Sequence, residues 1–130
     1  MTNDNLAILR AALEAFNAND IERMVQYVHE DVVYIIRGRS RLSGTYRGRE
    51  AMADALRMVK EATDGTMAAT PEVMLSGGDE VMAYFHVTGT RPDGRTYDNY
   101  QAYRYRLRDG KLQEGQTIPV DQAAFEEFLA

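Results

Sequence analysis

The stretch DNYQAYRYRLRDGK, residues 98–111, decides the fold of this chain, because it alternates with a period of two and then turns. Successive side chains of a strand leave on opposite faces. One face carries charges, including Arg104 and Arg106, and is therefore expected to meet water. The other carries amides and phenols: Asn99, Gln101, Tyr103 and Tyr105. The stretch thus predicts a two-faced strand that ends in an Asp-Gly turn, and what the neutral polar face contacts becomes the central question.

Segments with the same period surround this strand and predict an antiparallel meander. The expected strands cover 67–76, 80–91, 95–107 and 111–119. Turn signals separate them at Gly77-Gly78-Asp79, Pro92-Asp93-Gly94 and Asp109-Gly110. Pro71 cannot donate to a sheet ladder, so the first of these strands is expected at an edge or at a bulge.

Helical periodicity precedes the meander. A first helix has an apolar stripe with Asn3 or Asp4 as its N-cap, and Asp20 is expected to cap a second short helix that reaches Val28. A β-branched strand at 31–37 and a loop at 37–50 follow. A third helix ends at Gly65. The apolar stripes of these three helices are Leu6, Leu9, Leu13 and Phe16; Ile21, Met24, Val25 and Val28; and Met52, Ala55, Leu56 and Val59.

A last short helix is expected from Asp121 as its N-cap, presenting Phe125, Phe128 and Leu129. Helices followed by an antiparallel meander indicate an α+β fold in a single domain, 1–130. A curved, mostly antiparallel sheet wrapped around the N-terminal helices would leave a cone-shaped concavity, which is where small molecules bind.

Composition excludes several classes of function. The chain has 130 residues, a net charge of −5 and no cysteine. The acidic balance argues against a nucleic-acid partner, and the lack of cysteine suits a cytoplasmic protein. No segment is expected to be a signal peptide or a membrane span. Two isolated histidines do not predict a metal site, and no cofactor is expected.

Several motifs together resemble the nuclear transport factor 2-like superfamily, in its SnoaL-like, ketosteroid-isomerase-like branch. They are LEAFNANDIERMVQYVHEDVVY, LSGTYRGREAM, YRYRLRDGKLQE and the tail DQAAFEEFL. The resemblance covers essentially the whole chain and implies a cone-shaped α+β fold. It does not fix the activity, because this fold carries isomerases, polyketide cyclases, epoxide hydrolases, dehydratases and domains without chemistry.

The catalytic residues of ketosteroid isomerases do not carry over. The resemblance places the family's Asp base at Ile36, its first-helix Tyr at Ala12 and its protonated Asp at Gln101. None of these three residues supports that mechanism. Epoxide-hydrolase relatives require an Asp–Arg–Asp arrangement, for which no interior acid is expected.

The resemblance also implies which residues face the interior, and these predict an apolar pocket with a few neutral polar groups. The ligand-binding residues expected from it are Tyr34, Phe85, Asn99, Gln101, Tyr103 and Thr117. Asn99, Gln101 and Tyr103 form a polar stripe, for which two interpretations remain open. Their side chains either bind a ligand or form hydrogen bonds with one another in the core.

Other chemistry-bearing residues are expected outside this pocket. His86 should face outward, and His29 should end the second helix. The arginines between Arg37 and Arg49 form either a lip for an anionic ligand or a solvated loop. The methionines, among them Met24, Met52, Met58 and Met82, belong either to an adaptable pocket or to the core.

Three functions remain as hypotheses. The first is an isomerase or polyketide-type cyclase that acts on a small hydrophobic carbonyl compound. The second is a binding protein without chemistry, and the third is a dimeric interaction domain. A homodimer through the outer sheet face is expected from an aromatic stripe of Tyr84, His86, Thr88, Tyr100, Ala102 and Gln116.

Overall fold

The computed structural model describes residues 2–130, and their side chains from Asn5 onward. The expected caps Asn3 and Asp4 lie outside the described side chains. The helices are α1 (Thr2–Asn17), α2 (Ile21–Met24), α3 (Arg49–Ala62) and α4 (Gln122–Leu129), with a 3-10 turn at Val25–Tyr27. The strands are β1 (Val28–Ile36), β2 (Gly44–Arg47), β3 (Ala68–Gly77), β4 (Glu80–Thr90), β5 (Thr96–Arg108) and β6 (Lys111–Pro119).

The strands form one six-stranded sheet in the order β2-β1-β6-β5-β4-β3. Every neighbouring pair is antiparallel except β1 and β6, which are parallel. This mixed α+β architecture confirms the fold class predicted from the sequence. Pro71 lies on the edge strand β3, next to a register shift between Pro71 and Val73, so both alternatives proposed for it apply.

Three local predictions were wrong: the start of β1, the place of His29 at a helix end and the loop at 37–50. Strand β1 begins at Val28 rather than at residue 31, because the chain tightens into a 3-10 turn after Met24 and then extends. His29 therefore lies in a strand, where its Nδ1 accepts a hydrogen bond from the Asp31 N–H at 3.0 Å. Strand β2 lies inside the segment predicted to be a loop, and it pairs with β1 from Val33 to Ile36.

The two described caps are as expected. The Asp20 carboxylate accepts from the Arg23 N–H at 3.1 Å, and the Asp121 carboxylate accepts from the Ala124 N–H at 3.0 Å. Gly65 follows α3 with a φ of +74°, and its N–H returns to the Lys60 carbonyl at 2.7 Å. These contacts satisfy backbone groups that helix ends leave unpaired.

The core lies between the sheet and the helices. The buried stripes of α1 and α3 face the inner positions of the strands, among them Val32, Val81 and Leu112, which are 2% exposed or less. Helix α4 packs Phe125 and Phe128 against Tyr97 of β5, at ring-centroid distances of 5.6 and 5.4 Å. The space between sheet and helices holds the candidate site.

Candidate functional site

A row of phenols crosses the inner face of the sheet. Tyr34 of β1 and Tyr105 of β5 are both in register with Gly115 of β6, which lies between them. A Cβ on Gly115 would lie 3.2 Å from Tyr34 Cδ1 and 3.1 Å from Tyr105 Cδ1. Glycine at this position therefore makes room for two large rings on adjacent strands.

The other polar groups of the inner face lie beside the phenols, at the neighbouring inward-facing positions of β5 and β6. Tyr103 is in register with Thr117, and Gln101 with Phe85. The Tyr103 ring lies 5.7 Å from that of Tyr105, nearly parallel to it. All these side chains face inward because they share one strand parity.

Gln101 links two of the tyrosines. The Tyr103 hydroxyl donates to Gln101 Oε1 at 2.7 Å, and Gln101 Nε2 donates to the Tyr97 hydroxyl at 3.2 Å. Gln101 is 1% exposed, so both ends of its amide are buried and paired. The polar groups of Gln101 are thus paired within the protein, as the interpretation of a hydrogen-bonded core network expects.

Thr117 is different, because its buried hydroxyl has no partner among the described residues. The side chain is 2% exposed, and Oγ1 makes no hydrogen bond. Tyr34 and Tyr105 likewise have hydroxyls that bond to no other described residue. Buried polar atoms in folded proteins are nearly always paired. Three neighbouring hydroxyls are thus available to a guest molecule.

These groups line an interior cavity of about 70 Å³. The sheet provides both its polar side chains and part of its apolar wall, and the helices and the β3 start provide the rest. The sheet residues are Tyr34, Ile36, Phe85, Val87, Gln101, Tyr103, Tyr105 and Thr117. The remaining lining residues are Leu13, Phe16, Met24, Leu56, Val59, Met67, Ala69 and Phe125.

Burial keeps the phenols neutral. It raises the pKa of Tyr34, Tyr103 and Tyr105 well above the ordinary value near 10, and the mutual proximity of the rings raises it further for Tyr103 and Tyr105. A neutral phenol donates a hydrogen bond but does not abstract a proton. No carboxylate or histidine is found among the described lining residues. The cavity can polarise a carbonyl, and it offers no conventional general base.

Five of the six residues predicted to bind a ligand meet in this cavity. Asn99 does not line it: its Oδ1 accepts from the Tyr100 N–H at 2.8 Å, and the residue borders a shallow depression beside α4. Tyr105 was placed on the correct face but was not counted as a site residue. Among the lining residues on the helices, only Met24 had been named for a pocket, as an alternative to the core; the others belong to apolar stripes, which are equally typical of a core.

The remaining candidates lie elsewhere. His86 faces outward as expected, with Nε2 at 2.5 Å from Asp98 Oδ1 and its ring stacked on Tyr100. Arg37 donates to Gln116 Oε1 at 2.6 and 3.1 Å, and Arg49 donates to the Val28 carbonyl at 3.1 Å. None of the arginines from Arg37 to Arg49 lines the cavity. Met24 lines it, whereas Met58 and Met82 are exposed.

The described residues include no group of three or more His, Asp or Glu side chains arranged to hold a metal ion. None of the described helices is long and apolar enough to cross a membrane.

Comparison with known proteins gives the family. The uncharacterized protein Rv0034 of Mycobacterium tuberculosis is 30% identical over 132 residues, which covers the whole of both chains. Bal32a, from a soil-derived mobile gene cassette, is 25% identical, with a TM-score of 0.94 over 99% of this chain and 98% of its own. TerC, co-crystallized with polyporic acid, is 26% identical, with a TM-score of 0.86 over 97% of this chain and 98% of its own.

The family model of the SnoaL-like domain matches residues 9–115. Those residues include α2, α3, strands β1 to β5 and the inner positions Tyr34 and Gly115 that define the phenol row. Solved structures of similar shape are described as having nuclear transport factor 2-like and cystatin-like folds. The chain therefore belongs to the SnoaL-like family.

Proposed function

We propose that this protein binds a small, uncharged, largely apolar molecule that carries a carbonyl or hydroxyl oxygen. The observation that carries the proposal is the Thr117 hydroxyl, which is buried without a partner in a cavity lined mostly by apolar side chains. An unpaired buried hydroxyl costs free energy, which a ligand oxygen would recover. The free hydroxyls of Tyr34 and Tyr105 on the same inner face add two further donors.

The geometry favours carbonyl polarisation over proton abstraction. If the protein is an enzyme, it acts as an isomerase or a polyketide-type cyclase, which holds a substrate in a reactive conformation while neutral phenols stabilise the oxygen. Tyr103 is less suited to this role, because its hydroxyl already donates to Gln101. TerC, which is 26% identical, was co-crystallized with polyporic acid, and this supports a small-molecule-binding role for the chain.

The alternative is a binding protein without chemistry, favoured by the neutral lining of the cavity. The two candidates differ in turnover and in its pH dependence, since a bell-shaped profile would require a titrating acid or base. For either candidate, the ligand affinity should change little between about pH 5 and 8, because no lining group has an ordinary pKa in that window.

Titration with three matched probes tests the proposal: a short methyl ketone, the corresponding alkane and the corresponding carboxylate. The ketone should bind, and Thr117→Val should weaken it by about 1–3 kcal/mol while leaving the alkane unchanged. The carboxylate should not bind, because no described cation lines the cavity. Equal binding of ketone and alkane, or preferential binding of the carboxylate, would contradict the proposal.

A further inference from the structure

A second, smaller chamber lies beside the cavity. Its volume is about 30 Å³. Four apolar residues line this chamber alone: Leu9, Ala12, Met52 and Leu112. Each of them is 5% exposed or less. Apart from Tyr34 and Tyr105, which also line the cavity, the side chains of this chamber offer no hydrogen bond to a guest.

The two chambers share part of their walls. The shared residues are Leu13, Met24, Tyr34, Phe85 and Tyr105. The two spaces meet at these five side chains, which are called the partition below. Their mobility decides whether the two chambers can join.

Met24 is the member of the partition best able to move. Tyr34, Phe85 and Tyr105 are at most 9% exposed and belong to the sheet. Leu13 lies on the long helix α1. Met24 instead ends the four-residue helix α2 and is only partly buried. Its unbranched thioether side chain has three rotatable bonds and adapts readily to a changed cavity.

The volumes indicate that a larger guest needs more space than the cavity offers. A cavity of about 150 Å³ is the size known to accept benzene. The cavity next to Thr117 has less than half of that volume, and the second chamber is smaller still. A ligand with more than a few carbon atoms therefore needs space beyond the cavity, and displacement of the partition would add the space of the second chamber.

We infer that Met24 is a gate between the two chambers and that the ligand is bipartite. Its oxygenated head lies near Thr117 and Tyr34, and its apolar tail passes Met24 into the chamber lined by Leu9 and Ala12. Met24 and Ala12 thereby determine the length of ligand that the protein accepts. This inference rests on the proposed function, and it adds the substrate class: an oxygenated head on an apolar tail.

The test is a series of straight-chain methyl ketones of increasing length, titrated against the protein by NMR or calorimetry. In the wild type, each added methylene should raise the affinity about fourfold until the second chamber is filled. This factor corresponds to about 0.8 kcal/mol for each buried methylene. Ala12→Val fills that chamber. It should leave the shortest ketones unchanged and abolish the gain for longer ones. Met24→Ala should extend the gain to longer chains.

Met58→Ala is the matched control, because Met58 is 38% exposed and borders neither chamber. The shortest ketone also reports whether each variant is folded, since its binding does not involve position 12. If Ala12→Val weakens all ketones equally, or if Met24→Ala leaves the length profile unchanged, the inference is wrong and the proposed function stands. If no ketone binds the wild type, the proposed function fails and the inference with it.

Discussion

At the scale of single residues, Thr117 makes the most specific prediction. Thr117→Val removes an unpaired buried hydroxyl and keeps the shape of the side chain. We expect the free energy of unfolding of the ligand-free protein to rise by about 1 kcal/mol, because the desolvation cost of that hydroxyl disappears. The same substitution should weaken ketone binding. Denaturant unfolding and ketone titration measure the two effects.

Thr63→Val is the control for this prediction. Thr63 is equally buried, but its hydroxyl donates to the Val59 carbonyl at 2.9 Å and accepts from the Met67 N–H at 3.3 Å. Its loss should lower the free energy of unfolding by about 1–3 kcal/mol. If both threonine substitutions destabilise the protein alike, the Thr117 hydroxyl is paired, and the argument for a ligand oxygen there is lost.

Gly115 makes a second prediction at this scale. Gly115→Ala would place a methyl group against the rings of Tyr34 and Tyr105 at 3.1–3.3 Å. Overpacking of this kind costs about 1–3 kcal/mol, and displacement of the phenols should also weaken ketone binding. Thermal unfolding compared with Gly77→Ala, whose Cβ would meet no atom within 4 Å, checks this. Equal midpoints for the two variants would show that the rings move aside freely.

The inner or outer position of single side chains on the strands could be predicted from the sequence, but their hydrogen-bond partners could not. Alternation placed Gln101 and Tyr103 on one face of their strand, and the family resemblance placed that face, together with Tyr34 and Thr117, in the interior; all four residues line the cavity. It could not tell which of their polar groups are paired, since that depends on the ring positions of Tyr97 and Tyr103 in three dimensions. Thr117 and Gln101 are alike in sequence pattern, yet only Gln101 has partners.

At the scale of the elements, α4 depends on its N-cap. Asp121→Ala removes the hydrogen bond to the Ala124 N–H and should lower the free energy of unfolding by about 0.5–2 kcal/mol. Ligand affinity should change little, because Asp121 does not line the cavity. Asp121→Asn keeps a capping oxygen and should be nearly neutral in denaturant unfolding. An unchanged midpoint for Asp121→Ala would mean that the cap contributes nothing to stability.

Elements with a strong local signal were predictable, and those set by tertiary contacts were not. Asp20 and Asp121 cap helices where expected, and the turns at Gly78 and Gly110 have the positive φ values that glycine permits. Strand β2 has only four residues, GTYR, and its exposed, polar composition is typical of a loop. Its pairing with β1 makes it a strand.

At the scale of the whole molecule, the buried Lys60 and the buried phenols change the free energy of unfolding with pH in opposite directions. Lys60 is 8% exposed, lies 4.0 Å from the centroid of the Phe16 ring and donates to the Met67 carbonyl. Burial lowers its pKa to about 8. Between about pH 8 and 10 the unfolded chain holds more protons at this site than the folded one, so stability should rise with pH.

The phenols act in the other direction at higher pH. Tyr34, Tyr103 and Tyr105 have raised pKa values in the folded protein, so their contribution is complete below about pH 10 and is lost as the pH rises further. Denaturant unfolding measured from pH 7 to 11 should thus give a maximum near pH 9–10. Lys60→Met should remove the rise, whereas Lys111→Met, at an exposed position, should not. A monotonic curve for the wild type would contradict this prediction.

The outer face of the sheet bears on assembly. Gln116 was expected in its aromatic stripe, but Arg37 covers it, and only 8% of it is exposed. Beside it lies an apolar area made continuous by the register of β3, β4, β5 and β6. Its residues are Val73, Leu75, Met82, Tyr84, Ala102 and Ile118. Leu75 is 66% exposed and Met82 46%, which is unusual for a face that meets only water.

We therefore expect this face to join two copies of the chain in a homodimer. Two-fold symmetry brings the same patch of each copy together, so one apolar area can bury itself against its equal. Light scattering should give twice the mass of the chain at about tens of micromolar, a concentration at which a dimer of ordinary affinity is assembled. Leu75→Lys should shift the protein to monomers without unfolding it, because it places a charge in the interface. Met58→Lys puts the same charge at an exposed methionine on α3 and should leave the dimer intact. A wild-type monomer at that concentration, or a dimer that survives Leu75→Lys, would show that the outer sheet face is not the interface.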